Sequence, residues 1–254
     1  MGITIKTAEE IEIMARGGKA LAAILDEVTG MVRPGIKTIT LDELAEKLIL
    51  DAGFTPSFKN YREDLKDKPY PATLCVSIND EIVHGIPADI LIKEGDVVSL
   101  DLGLYCSGYH LDIAKTVCAG MVEKREEMLV KAAYRALTLA IQEIKPGKHF
   151  GDIGYAIKKC GERSGFAVVK ELCGHGIGRE LHEEPQVLNY GRRYSGEEIK
   201  EGMVFCIEPM LTTGRSQIKR DKNGFAFKTA DGSTAAHFEH TIAVTKNGYR
   251  ILTV

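Results

Sequence analysis

The sequence predicts a single α/β domain, of the α+β kind, in which two similar halves share one mostly antiparallel central sheet. Within each half, two helix-period patterns precede short apolar runs that are typical of strands. Signals that end helices recur in both halves at one common displacement. These signals are Pro-Gly at 34–35 and 146–147, and Gly-Phe at 53–54 and 165–166. We therefore predict an internal duplication, with halves of about 1–119 and 120–254.

The composition is that of an ordinary globular protein, with 44% hydrophobic and 27% charged residues. A net charge of -3 argues against nucleic acid as the main partner. Residues 1–10 lack the apolar core of a secretory signal, and no apolar run is long enough to span a bilayer. The six cysteines show neither metal-knuckle nor redox spacing, so we expect free thiols in a cytoplasmic protein without membrane contact.

Four helices are predicted from apolar spacing and from their end signals. The first begins with a capping box of Thr7 and Glu10, and the second with the same pattern at Thr40 and Glu43. Proline or glycine follows each helix and blocks its continuation. The predicted helices run from Thr7 to Arg33, from Thr40 to Ala52, from about Glu123 to Ile144 and from about Asp152 to Arg163.

Four strands are predicted at 97–105, 109–118, 203–208 and 238–244. The first two flank Cys106-Ser107-Gly108, which indicates a hairpin. By contrast, the segments 56–71 and 214–224 are polar and rich in turn residues. We expect both of them to be surface loops.

Two aspartates lie on the two arms of this hairpin. With the turn centred on Cys106-Ser107, Asp101 and Asp112 are predicted to stand opposite each other, with Cβ atoms about 4.5–5.5 Å apart. Two ionised carboxylates at that distance in a half-buried sheet repel each other and lose hydration unless a cation compensates them. The alternative is a pair of solvent-facing aspartates on an edge hairpin.

The second half adds two glutamates and a histidine in apolar or glycine-rich surroundings. They are Glu208 in VFCIEPM, Glu239 in AAHFEHTIAV and His175 in CGHGIG. Each alone could be a solvated edge glutamate or a core histidine. Together with the aspartates they balance the charge of two divalent cations. A donor set rich in oxygen, with one imidazole and no thiolate, fits manganese, iron(II) or cobalt and tolerates zinc.

Four further histidines fall near these residues. His84 in HGIP and His182 in GRELHEEP are predicted to act as neutral donors or proton carriers beside the metals. His237 and His240 flank Glu239. We expect both of these to be structural, on the opposite face of the strand or at its rim.

Taken together, these motifs resemble the type I methionine aminopeptidases. The similarity runs along nearly the whole chain in HGIP (84–87), the aspartate hairpin, CGHGIGRELHEEP (173–185), IEPM (207–210) and FEHTIAVT (238–245). It implies the pita-bread fold with pseudo-twofold halves. It also implies a cytoplasmic, monomeric enzyme that removes the initiator methionine from peptides and from nascent proteins near the ribosome, preferring a small second residue.

The resemblance implies a role for each motif residue. Asp112 and Glu239 would bridge two divalent ions, cobalt, manganese, iron(II) or zinc. His175 and Glu208 would complete one ion's site, and Asp101 would bind the other ion. Glu208 would also shuttle a proton, with His182 near the scissile amide and His84 near the leaving group. The residues expected in the methionine pocket are Tyr70, Cys75, Leu181 and Phe225.

Four features depart from the family's pattern. Extra residues lie between Tyr61 and Tyr70, and Leu181 replaces an aromatic residue. Phe225 stands where many members have tryptophan, and His237 stands where the family has glutamine. These differences affect the shape of the methionine pocket and leave the five metal ligands unchanged.

The motifs leave three other functions open. An X-Pro peptidase would share the fold and ligands, although such enzymes usually carry a large additional N-terminal domain. A non-catalytic binding scaffold of the same fold is expected to have lost ligands. A hydrolase that uses the carboxylates directly as acid and base would be insensitive to chelators.

Overall fold

The computed structural model describes residues 2–254, which form four helices and fifteen strands. The helices are α1 (Ala8–Gly30), α2 (Thr38–Asp51), α3 (Lys124–Gln142) and α4 (Phe150–Ser164). The strands of the first half are β1 (Thr55–Pro56), β2 (Leu74–Ile78), β3 (Glu81–Val83), β4 (Val97–Cys106) and β5 (Tyr109–Cys118). Those of the second half are β6 (Ala167–Val168), β7 (Cys173–Gly176), β8 (Glu183–Leu188), β9 (Val204–Ile207), β10 (Met210–Thr212), β11 (Ile218–Arg220), β12 (Phe227–Thr229), β13 (Ala235–His237), β14 (Glu239–Thr245) and β15 (Gly248–Ile251).

The predicted capping box at the start of α1 is confirmed. The Thr7 hydroxyl accepts from the Glu10 N–H at 3.3 Å, and the Glu10 carboxylate accepts from the Thr7 N–H at 2.8 Å. This satisfies two backbone donors that the first turn of a helix would otherwise leave free. The predictions of α3 and α4 are also confirmed within two residues at each end.

The predicted cap of α2 is wrong. The helix begins at Thr38, and Lys37 occupies the N-cap position without a side-chain hydrogen bond. The Thr38 hydroxyl instead donates to the Ala88 carbonyl at 2.9 Å, and the Thr38 N–H donates to the Ile90 carbonyl. Contacts with the distant segment 88–90 therefore fix the start of this helix, and a local capping pattern does not reveal them.

Nine strands form the central sheet, and all of their pairings are antiparallel. The main path runs β1-β4-β5-β14-β9-β7-β8, while β2 pairs with β4 and β15 pairs with β14. Strands of the first half therefore meet strands of the second half at the β5–β14 pairing. The predicted architecture, two helix-pair units around one antiparallel sheet, is confirmed.

Each half packs its two helices on its own strands. In the first half Leu21 of α1 and Leu41 of α2 lie in one core with Leu102 of β4. In the second half Leu137 of α3 packs with Phe205 of β9 in a separate core. The two cores lie on opposite faces of β9, because its alternate residues Val204 and Phe205 belong to the first and to the second core.

The register of the β4–β5 hairpin differs from the prediction by two residues. Asp101 pairs with Ala114, and Asp112 pairs with Gly103, so the two aspartates are diagonal neighbours on one face. The turn is Ser107-Gly108, where both residues have positive φ, 49° and 96°. Such φ values are typical of a two-residue hairpin turn. Because Ser107 carries no signal for positive φ, the turn was predicted one residue too early.

The prediction of a loop at 214–224 is wrong in its middle. Residues Ile218–Arg220 form β11, which pairs with β12, and β12 in turn pairs with β3. This small sheet connects the two halves at the side of the cavity described below. The segment 56–71 has no regular structure apart from Pro56 in β1, as predicted.

All six cysteines are free, as predicted. None of the helices within residues 2–254 combines the length and apolar character needed to cross a membrane.

Candidate metal centre and catalytic cavity

Cross-strand pairing brings the predicted ligands to one face of the sheet. Cys75 on β2 pairs with Asp101 on β4, and Asp101 pairs with Ala114 on β5. Ala114 pairs in turn with Glu239 on β14. Paired residues share a face of the sheet, and so do residues two apart on one strand, which adds Asp112 to the group. Asp101, Asp112 and Glu239 therefore converge across the β5–β14 pairing.

The neighbouring strands add a glutamate and a histidine. His240 on β14 pairs with Ile207 on β9, so the following residue, Glu208, stands beside Glu239. His175 lies on β7, which pairs with β9 along the edge opposite to β14. The distance from His175 Nε2 to Glu208 Oε1 is 3.7 Å. The structure thus brings the five predicted ligands together.

Two glycines make room for His175. A Cβ atom at Gly174 would lie 2.3 Å from the Cys206 carbonyl oxygen, and one at Gly176 would lie 2.1 Å from the Glu184 carbonyl oxygen. Both distances are far below van der Waals contact. The glycines are therefore required by the close approach of the neighbouring strands.

The carboxylates of this group are buried and lack partners. Asp101 Oδ1, Asp112 Oδ1 and Glu239 Oε1 accept no hydrogen bond from any described residue. Ligand atoms of these three side chains lie within 4.8 Å of one another. Burying carboxylates without hydrogen bonds costs several kcal/mol each, on the order of the penalty for any buried unpaired ion. Such a cluster fits bound divalent cations, which would supply the missing positive charge.

Burial also changes the protonation of the acidic groups. It raises the pKa of Asp101 to about 7. Burial, together with repulsion from the neighbouring carboxylates, raises the pKa values of Asp112, Glu208 and Glu239 well above their ordinary range. Without a cation the cluster therefore retains protons near neutral pH. Binding of metal ions would displace these protons.

His175 has the hydrogen bond that is usual for a metal-binding histidine. Its Nδ1 lies 2.9 Å from the Gly176 carbonyl oxygen, so Nδ1–H is the donor. Burial lowers the pKa of His175 to about 3, which keeps the ring neutral. The Nε2 lone pair then faces the Glu208 carboxylate and is free for a metal.

A cavity of about 430 Å³ contains all eleven predicted site residues in its wall. They are Tyr70, Cys75, His84, Asp101, Asp112, His175, Leu181, His182, Glu208, Phe225 and Glu239. At the apolar end the Tyr70 hydroxyl donates to the Gly85 carbonyl at 2.9 Å, and its ring meets the Phe225 ring edge-on at 5.7 Å. The cavity therefore has an apolar compartment beside the ligand cluster.

The two predicted substrate histidines, His84 and His182, both line the cavity. His84 follows β3 in a left-handed conformation with φ 60°, and its ring is 5.9 Å from the Phe227 ring. The His182 ring meets the His175 ring edge-on at 4.5 Å. A hydrogen bond of 2.8 Å joins His182 Nδ1 to the Tyr61 hydroxyl. Sequence reasoning missed this role of Tyr61.

The residues between Tyr61 and Tyr70 form a loop at the cavity. The Asn60 N–H donates to the Tyr70 carbonyl at 2.8 Å, and the Tyr70 N–H donates to the Tyr61 carbonyl at 2.9 Å. These bonds hold the two ends of the loop together and keep both tyrosines beside the cavity. The charged residues of the loop that line the cavity are Arg62, Glu63, Lys66, Asp67 and Lys68.

A thiol that was not predicted lies beside the ligands. The Cys206 sulfur is within 4.8 Å of ligand atoms of His175 and Glu239. Burial raises the pKa of this thiol well above its ordinary value. Without a cation it is therefore a neutral thiol.

The expectation that His237 faces away from the metals is wrong. His237 and Glu239 are two residues apart and share a face, and the His237 ring lies among the carboxylates. Only His240 points elsewhere, with its Nδ1 2.9 Å from the Thr253 hydroxyl. His237 precedes Glu239 by two residues, and residues two apart in extended chain point to the same face. This spacing is the sequence signal that could have identified His237.

Both the sequence and the fold of the chain match known metallopeptidases. Residues 12–246 match metallopeptidase family M24. The chain is 40% identical to methionine aminopeptidase 1 of Bacillus subtilis over 251 residues, which cover 99% of both proteins. It superposes on the crystal structure of methionine aminopeptidase from Rickettsia prowazekii with a TM-score of 0.95 and 37% identity, covering 100% of both chains.

A second group of structures shares only the fold. The prolidase from Pyrococcus horikoshii OT3 superposes with a TM-score of 0.76 at 23% identity. The match covers 98% of the present chain but 63% of the prolidase. The pita-bread fold expected from the sequence is thereby confirmed.

Proposed function

The chain belongs to metallopeptidase family M24, and we infer that it is a hydrolase that removes the N-terminal methionine from peptides and proteins. Its relatives over the full length are methionine aminopeptidases. One structural observation supports this function above all. Five potential metal ligands, several of them with unpartnered oxygens, lie in a cavity that also has an apolar compartment and two substrate-facing histidines.

We propose that two divalent ions bind at this cluster. Asp112 and Glu239 would bridge them, His175 and Glu208 would complete one site, and Asp101 would complete the other. Bound ions would lower the pKa of the attacking water and polarise the scissile carbonyl. Manganese, iron(II), cobalt and zinc all fit carboxylate and imidazole donors.

The residues around the cluster would bind and orient the substrate. The methionine side chain would enter the compartment formed by Tyr70, Cys75, Leu181 and Phe225. His182 would then donate a hydrogen bond at the scissile amide, and His84 would contact the residue after it. Glu208, at the edge of the cluster, would carry the proton from water to the leaving amine.

The substrate class follows from this geometry. We propose that the enzyme acts on the N-termini of nascent proteins in the cytoplasm, near the ribosome, and that it works as a monomer. The second residue would have to fit between His84 and the metal ligands. A small second residue is therefore expected to be preferred.

An X-Pro peptidase is the second candidate, since prolidases share the fold. The test compares Met-Ala-Ser, Leu-Ala-Ser and Ala-Pro peptides with chelated protein and after addition of each metal. We expect activity on Met-Ala-Ser only after metal addition. Preferred cleavage of Ala-Pro would favour the prolidase function. Full activity in exhaustively chelated protein would contradict the metal mechanism altogether.

A further inference from the structure

The His237 ring is directed at two carboxylates of the proposed metal centre. Its Nε2 lies 3.6 Å from Glu208 Oε2 and 3.8 Å from Glu239 Oε2. The side chain is almost completely buried, and neither ring nitrogen has a hydrogen-bond partner within residues 2–254. A buried imidazole in this position, without partners, requires an explanation.

These distances are too long for hydrogen bonds, which have donor–acceptor distances of about 2.7–3.2 Å. They do match atoms that share one metal ion. Two ligand atoms, each about 2.0–2.2 Å from an ion, lie roughly 3–4 Å from each other. Ligand atoms of Glu208, His237 and Glu239 also lie mutually within 4.8 Å. The arrangement is that of three donors around a common position.

We propose that His237 is an additional ligand of the metal centre. It would provide a second imidazole to the ion that His175 and Glu208 hold. The proposal rests on the metal centre described above and extends it by one residue. Glu208 stands between the two histidines, with Oε1 facing His175 and Oε2 facing His237.

The backbone holds His237 in this position. Its N–H donates to the Thr116 hydroxyl at 2.9 Å, and the Thr116 hydroxyl donates to its carbonyl at 2.5 Å. Thr116 is itself bonded to Ser99 at 2.8 Å. Both anchors belong to the β4–β5 hairpin that carries Asp101 and Asp112. The strands that carry the carboxylate ligands therefore also fix the backbone of His237 beside them.

A second imidazole changes which metal the centre prefers. Manganese is satisfied by carboxylate and water oxygens, whereas zinc, cobalt and iron(II) bind imidazole well. We therefore expect the ion at His175 and His237 to be one of the nitrogen-preferring metals. Replacing His237 with glutamine, an oxygen or amide donor of similar length, is expected to weaken zinc binding by roughly 10–100-fold, with a smaller effect on manganese.

The experiment that tests this proposal measures how many histidine side chains coordinate the bound metal ion. The intact protein is loaded with one equivalent of cobalt(II), and proton NMR records the strongly shifted, exchangeable ring N–H signals, one for each coordinated histidine. We expect two signals in the wild-type protein, one in His237→Gln and two in His240→Gln. His240 is the matched control, because it lies only three residues away, on β14, and its Nδ1 bonds to Thr253.

The wild-type spectrum tests the proposal even if His237→Gln fails to fold. A single signal in the wild-type protein would overturn the role of His237 while leaving the metal centre intact. Cobalt binding with no shifted imidazole signal, or no cobalt binding at all, would instead contradict the centre itself. Calorimetric titration of zinc and manganese into both variants completes the test. Equal losses for the two metals would refute the predicted preference.

Discussion

The Tyr61 hydroxyl oxygen lies 2.8 Å from His182 Nδ1, and the two rings meet edge-on with centroids 5.3 Å apart. Burial and the nearby carboxylates of Glu63 and Glu180 raise the pKa of Tyr61 to about 12, so the hydroxyl keeps its proton. Burial lowers the pKa of His182, which favours a neutral ring. When Tyr61 donates to Nδ1, the proton of the neutral ring resides on Nε2, and His182 becomes a hydrogen-bond donor.

Tyr61→Phe removes this bond and keeps the ring. We expect kcat to fall about 10-fold, a part of the 10²–10⁴-fold that a positioned proton donor typically contributes. The KM and the metal content are expected to stay near the wild-type values, because the Tyr61 hydroxyl bonds to His182 and to none of the proposed ligands. Steady-state kinetics and metal analysis measure these quantities, with Tyr194→Phe on the exposed surface as control. A rise in KM at constant kcat would assign Tyr61 to substrate binding instead.

The two proposed bridging carboxylates should matter for both ions. Asp112→Ala or Glu239→Ala removes a donor common to both sites, so we expect loss of tight binding of either metal together with loss of activity. Calorimetric titration checks this, with exposed Asp89→Ala as control. Near-normal turnover with two bound ions in either variant would show that the bridging assignment is wrong.

Much of this site could be predicted from local sequence. Acidic residues in apolar strands identified Glu208 as a candidate ligand, and a glycine-rich turn identified His175. The capping box at Thr7 located α1, and the arms of the hairpin located β4 and β5. The position of Glu208 beside Glu239 depends on the pairing of β9 with β14, which brings together residues far apart in the chain. No local pattern encodes that register.

Two features of the site were not predicted from the sequence: the placement of His237 among the carboxylates and the hydrogen bond between Tyr61 and His182. The placement of His237 could have been predicted, because it lies two residues from Glu239 and such residues share a face of a strand. The Tyr61–His182 bond could not be predicted in the same way, because the two residues are 121 positions apart. Their contact requires the loop base at Tyr70 to hold Tyr61 beside the segment between β7 and β8, where His182 lies.

The metal-free protein should be stabilised by removing a charge from the cluster. Burial raises the pKa of Asp101 from its ordinary value to about 7. Such a carboxyl is neutral in both the folded and unfolded states below about pH 4. Its cost in folding free energy grows as the pH rises from about 4, where only the unfolded chain ionises, and reaches its full value above about pH 7. Asp101→Asn is therefore expected to stabilise the metal-free protein by about 2–4 kcal/mol at pH 8, at 1.36 kcal/mol per pKa unit, and little at pH 4.

Urea denaturation of both proteins in chelator at several pH values measures this difference. The buried histidines have lowered pKa values, so they destabilise the folded state as the pH falls below about 6.5. This effect is common to the variant and the wild type, and it cancels in the difference between their free energies of unfolding. In the presence of metal the order should reverse, because Asp101 would then be a ligand. A stability difference that is independent of pH would argue against an uncompensated carboxylate.

The last prediction concerns the first residue of the substrate. The compartment beside the metal cluster is formed by Tyr70, Cys75, Leu181 and Phe225, and the Tyr70 hydroxyl is already bonded to the Gly85 carbonyl. It therefore presents rings, a thiol and an aliphatic side chain. A flexible thioether packs well against such groups. Branched or shorter apolar side chains fill the same space less completely.

We expect Lys-Ala peptides to be cleaved at least about 100-fold more slowly than Met-Ala peptides, because burying an unpaired ammonium costs several kcal/mol. Leu-Ala peptides should lose less, since a methylene in an apolar pocket is worth about 1–3 kcal/mol. Met-Lys peptides should be poor because of the large second residue. Measuring kcat/KM for all four decides this. A variant with two glycines in place of residues 62–69 should keep the preference for methionine, since Tyr61 and Tyr70 are joined at the loop base. Equal cleavage of the methionine and lysine peptides would refute the methionine compartment and leave a broad aminopeptidase.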